Sequence, residues 1–113
     1  MKRDTNLFIQ DILDNIKDIE SFSKGLTKEK FESNKLTQNA IIRSLEIIGE
    51  AAKNIPDSFR QKHPKIPFKK IAGFRDVLSH AYFGVSIDRV WNIIEKDLPY
   101  LKSEIEKVKI DES

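Results

Sequence analysis

The sequence predicts an all-α fold, an antiparallel bundle of four main helices with short helical turns between them. Three observations carry this. Apolar residues recur every three or four positions in each long segment, the pattern of a helix that buries one face. No segment keeps the two-residue alternation of a half-buried strand. Glycine and proline number four each in 113 residues, too few for a turn-dense β-sandwich or barrel. The length suits one domain, residues 1–113.

The first helix carries Leu7, Phe8, Ile9, Ile12, Leu13, Ile16, Ile19 and Phe22, with acids and Lys17 between them. Gly25 supplies its C-terminal stop, and Thr27 an N-cap for a short turn through Phe31. A second long helix is predicted from about Leu36 to Ile55, its stripe formed by Ala40, Ile41, Leu45, Ile48, Ala52 and Ile55. Gly49 inside it costs about 1 kcal/mol relative to alanine, and such a glycine permits close approach of another backbone. Pro56 ends this helix, and residues 57–62 make one more turn. Pro67 opens a third helix, with Ile71, Phe74, Leu78 and Ala81 on its stripe and Gly84 at its end. Ser86 caps the last, where Ile87, Val90, Trp91, Ile94, Leu98, Leu101, Ile105 and Val108 hold the register and Pro99 introduces a kink.

Composition excludes several kinds of chemistry. Cysteine is absent, so disulfides, thiolate nucleophiles and Cys-ligated metal sites are ruled out. Two histidines, His63 and His80, cannot make a three-His zinc site in one chain, and no metal site or cofactor is expected. No apolar run approaches the roughly 18 residues of a membrane span, and no signal-peptide core appears. A soluble, cytoplasmic protein is expected. The net charge is only +2, but residues 58–75 hold Arg60, Lys62, Lys65, Lys69, Lys70 and Arg75 with no acid. Such a stretch either attracts phosphates or is a solvated loop and helix start.

Candidate chemistry gathers in residues 73–84. On a helix of about 100° per residue, Arg75 and Tyr82 fall near Ile71 and Leu78, on the apolar stripe or at its border. A guanidinium there loses hydration and needs an anionic partner. Asp76 lies one turn before His80 and can accept a hydrogen bond from its imidazole, fixing the tautomer. Arg75 and His80 are about 140° apart around the axis, so one straight helix cannot aim both at one atom. Either the helix breaks near Ser79 or two chains supply the site. Alternatively, Arg75 pairs with an interhelical carboxylate such as Glu50, and His80 is an ordinary surface or interface residue.

The segment Arg75-Asp-Val-Leu-Ser-His80-Ala-Tyr82 resembles the motif of HepT-like toxins of the HEPN ribonuclease superfamily: arginine, four residues, histidine, any residue, tyrosine. Ile48-Gly49-Glu50-Ala51-Ala52, and the run from Val90-Trp91 to Leu98-Pro99, are similar to segments of the same family in the same order. The resemblance implies a homodimer whose motif helices face each other, with Arg75 and His80 of both chains lining one cleft. It implies the toxin component of a toxin–antitoxin system, a metal-independent endoribonuclease acting on RNA. His80 would be general base or acid and Arg75 would stabilise charge on the phosphorus, with Asp76 and Glu50 in support. It further implies a minimal nucleotidyltransferase antitoxin that transfers AMP from ATP to Tyr82. Asp76 stands where the superfamily often has asparagine, which leaves its role open between orienting His80 and repelling phosphate. The alternatives are a non-enzymatic helical substrate-binding or regulatory subunit of a two-component nucleotidyltransferase, and a plain dimerisation protein.

Overall fold

The structure is a computed structural model that describes residues 4–79 and 86–112, with backbone alone at 77, 79 and 109–112. All its regular elements among the described residues are helical. Helix α1 spans Thr5–Ser23 and starts where the Asp4 side chain accepts the Asn6 N–H at 3.0 Å. It buries Ile9, Ile12, Leu13, Ile16 and Ile19, five positions of the predicted stripe. Gly25, at φ +72°, turns the chain in a conformation that costs side-chain-bearing residues about 1 kcal/mol or more. Thr27 caps α2, Lys28–Ser33. The Asn34 side chain then accepts the Thr37 N–H and opens α3, Lys35–Lys53.

Helix α3 packs along α1 and then against the later elements, so it is the centre of the bundle. It ends two residues before the predicted Ile55. Pro56 disfavours helical geometry at Ile55, and the last carbonyls of α3 find a partner outside the helix. Arg60, from α4 (Asp57–Lys62), donates to the Ala52 carbonyl at 2.7 Å and to the Ile55 carbonyl at 3.1 Å. Its guanidinium also lies 5.8 Å from the centre of the Phe68 ring. One member of the basic stretch is therefore a helix C-cap.

The predicted third helix is divided. Helix α5 covers Phe68–Ala72 and α6 covers Phe74–Ser79, with a turn at Gly73 between them. The Asp76 N–H reaches back three residues to the Gly73 carbonyl, tightening the turn while Ile71, Phe74 and Leu78 all stay buried. Ala81 and Gly84 lie outside the described residues.

The last run differs in register from its sequence pattern. Helix α7, Ile87–Asn92, is capped by the Ser86 hydroxyl. A π-helical turn, Ile93–Asp97, leads into α8, Leu98–Glu112. Pro99 has no N–H for the Glu95 carbonyl, and within the turn the Leu98 N–H bonds to Ile93 O, five residues back. The expected kink is thus a widened turn. It brings Ile93 into the core and leaves the predicted Ile94 half-buried at its edge. Beyond it, Leu98, Leu101, Ile105 and Val108 are buried as the periodicity requires. Between α2 and α7, Lys28 pairs with Asp88 at 2.9 Å, and this hydrogen bond holds the Lys28 ammonium above its ordinary pKa. No helix of the described residues is long and apolar enough to cross a membrane.

Candidate active site

The site begins with a missing side chain. A Cβ placed on Gly49 would lie 2.9 Å from Arg75 Cγ, 3.5 Å from the Ile71 carbonyl oxygen and 3.6 Å from the Arg75 nitrogen. The backbone of the α5–α6 corner therefore crosses α3 at ordinary contact distance from such a methyl group, and it is the Arg75 stem that lies too close to it. The next residue supplies the charge. Arg75 Nη1 donates to Glu50 Oε2 at 2.5 Å. Gly49 gives the room and Glu50 the counter-charge for a single arginine, which is the interhelical pairing foreseen as one use of Arg75.

Arg75 lies at the border of the apolar stripe, the second of the two expected positions, and not within it. Its side chain is 48% exposed and that of Glu50 54%. Phe74 and Leu78, on either side of it in sequence, turn inward instead. The turn at Gly73 lets α6 bury these two residues and leave Arg75 at the rim. The pair is held in geometry but open to solvent, and water screens its attraction. An incoming anion can reach the guanidinium, whose remaining donors suit a phosphate.

Asp76 is also exposed, and with Arg75, Lys53 and Ala72 it lines a shallow depression. Nothing in the sequence marks Ala72 as part of a site, and for Lys53 its position three residues after Glu50 is the only signal that would bring it to this face. His80 and Tyr82, the predicted catalytic and modified residues, lie outside the described residues. The structure thus brings together Arg75, Glu50 and Asp76 of the predicted site.

The rest of the basic stretch divides by role. Arg60 caps α3, and Lys70 pairs with Asp97 at 3.0 Å. Lys62, Lys65 and Lys69 are exposed, with no ion pair among the described residues. Among the described residues no three His, Asp or Glu side chains gather in a group fit for a metal ion.

The profile of the HepT-like ribonucleases matches residues 12–108. This chain belongs to the HepT-like ribonuclease family. It is 46% identical over 109 residues to a Thermococcus cleftensis protein named "Probable ribonuclease HepT", covering 96% of this chain and 99% of that one. Two Methanocaldococcus jannaschii proteins carrying RNase names are 47% and 48% identical over 107 residues. Those alignments take in 95% of this chain and 88% and 92% of theirs. No solved structure gives a significant match. The family match spans Gly49, Glu50 and the whole of residues 73–84, so the corner where α6 crosses α3 is part of the HepT-like domain.

Proposed function

We propose that this HepT-like chain is a metal-independent endoribonuclease, the toxin of a toxin–antitoxin system, acting as a homodimer with Arg75 and His80 of both protomers around one cleft. The observation that carries the reading is the Arg75 guanidinium, anchored on Glu50 across Gly49 yet half open to solvent, five residues before a histidine. An arginine kept only for packing gains nothing from exposure. One that meets a phosphate needs both a fixed stem and an open head.

In the reaction, the ribose 2′-oxygen attacks the adjacent phosphorus and loses its proton to one His80. The phosphorus–O5′ bond breaks, and the departing oxygen takes a proton from the other protomer's protonated His80. The products are a 2′,3′-cyclic phosphate and a 5′-hydroxyl. Histidine suits both steps because its ordinary pKa is about 6.5. Arg75 stabilises the charge that builds on the phosphorus oxygens. Asp76 orients His80, and Glu50 keeps Arg75 aimed. The antitoxin is a minimal nucleotidyltransferase that transfers AMP from ATP to Tyr82, releasing pyrophosphate. The added phosphate then occupies the anion site and repels RNA.

The deciding experiment is expression of the chain alone. Growth should arrest, and His80→Ala should abolish the arrest with the helical content unchanged. Purified protein should cut RNA in EDTA and leave cyclic-phosphate ends. Loss of cutting in EDTA, restored by a divalent ion, overturns the metal-independent mechanism. Light scattering should give a dimer. Intact mass after incubation with partner, ATP and Mg²⁺ should rise in the wild type and not in Tyr82→Phe. A wild-type chain that cuts no RNA but stimulates a nucleotidyltransferase would be a regulatory subunit instead.

A further inference from the structure

A second cationic surface lies away from the Arg75 corner, where the loop after α4 meets α8. Lys62 from the end of α4, His63 and Lys65 from the loop and Lys107 from α8 line a shallow cleft there. Glu104 is the carboxylate on its described wall, and it is committed to Lys107 at 3.1 Å with only 12% of its side chain exposed. Lys62 and Lys65 are exposed and in no ion pair among the described residues.

The loop that presents these lysines is fixed. The His63 ring packs 4.6 Å from that of Phe59, which in turn packs 6.1 Å from the buried Phe68. The Tyr100 hydroxyl donates to the Lys65 carbonyl at 2.8 Å. The Ile66 N–H bonds to the His63 carbonyl and the Phe68 N–H to the Ile66 carbonyl. Pro64 and Pro67 restrict the backbone between. A site for a polyanion gains from cations whose backbone is already ordered, because less conformational freedom is lost on binding.

We propose that this cleft is an anion site for the sugar–phosphate backbone of single-stranded RNA, engaging the strand at a distance from the bond that is cut. The choice of RNA rests on the ribonuclease reading. Arg75 follows Phe68 by seven residues across the turn at Gly73, with Lys69 exposed on α5 in between in the chain. The site holds the strand by charge and reads no sequence.

The test is the affinity of the full chain for a fluorescent 2′-O-methyl RNA of about 12 nucleotides, which binds but cannot be cut by 2′-hydroxyl attack. Lys62→Ala/Lys65→Ala should weaken binding by about tenfold at low salt. It should also lower the slope of log Kd against log salt by about 1.4, or 0.7 per lost contact. Lys17→Ala/Lys24→Ala, which removes two exposed lysines of α1 and its C-cap, should leave both unchanged. Unchanged binding in the Lys62/Lys65 variant, equal losses in both variants, or a wild type that does not bind overturns the site. Binding that depends on Lys62 and Lys65 in a chain that cuts no ordinary RNA leaves the site standing and removes the ribonuclease reading.

Discussion

Two arginines from one acid-free stretch both reach helix α3, and they do different things there. Arg60 donates to two backbone carbonyls, lies against Phe68 and is half-buried. Arg75 meets a carboxylate and is half exposed. A carbonyl at a helix end has no better partner to move to, so Arg60 is stapled in place. A surface carboxylate is an exchangeable partner, because water and salt already compete for it. Identical side chains are thus fixed at one place and left open to exchange at the other, and the acceptor decides which.

The comparison breaks most sharply at Arg75. Arg75→Ala should lower RNA cleavage by about 10²–10³-fold, the range for loss of one group that stabilises transition-state charge. Circular dichroism should be unchanged, since an exposed ion pair contributes at most about 1 kcal/mol. A large fall in melting temperature together with activity would make Arg75 a second fastener. Arg60→Ala should do the reverse. Two charge-assisted bonds and a ring contact are lost, a cost of about 3 kcal/mol, or a drop of roughly 10 °C in melting temperature. Activity per folded molecule, assayed well below the melt, should hold within about twofold.

Smaller effects sharpen the picture of how Arg75 is aimed. Gly49→Ala forces the Arg75 stem to move, which should lower kcat/KM by about 10–30-fold, within the range for a displaced catalytic group. Stability should change little, because alanine's helical gain of about 1 kcal/mol offsets part of the crowding. Activity that survives intact would mean the close crossing serves packing alone. Glu50→Gln keeps an acceptor and removes the charge. KM for RNA should fall a few-fold as competition for Arg75 ends, and kcat should fall a few-fold as its aim loosens. Movement of neither would make Glu50 a bystander.

The contrast also marks what the sequence discloses. The helices were legible because each buries one face, and 3.6-residue spacing writes that face into the chain. The caps Thr27 and Ser86, the stop at Gly25 and the pairing of Arg75 with Glu50 were legible because each rests on one residue type with one local need. The cap by Arg60 was not, because its acceptors are backbone groups, which every residue has. The turn at Gly73 was hidden by a stripe that continues through it. The register of the last helix was hidden as well: Ile93 and Ile94 are chemically equal, and only the π turn chooses between them. Of the site, the sequence marked Arg75, Glu50 and Asp76, which the structure brings to one corner, and also His80 and Tyr82, which lie outside the described residues.

The π turn also bears on how this chain can change length. A π turn is an α-helix that has accepted one extra residue without moving either end. Within Ile93–Asp97, where Glu95 and Lys96 face solvent, a deletion can be absorbed by relaxing to an ordinary α turn. In α1 or α3 the same loss would rotate everything beyond it by about 100° and carry isoleucines into water. Single-residue deletions among descendants of this sequence should therefore collect at that one turn of the last helix, and spare the helix that holds Gly49 and Glu50.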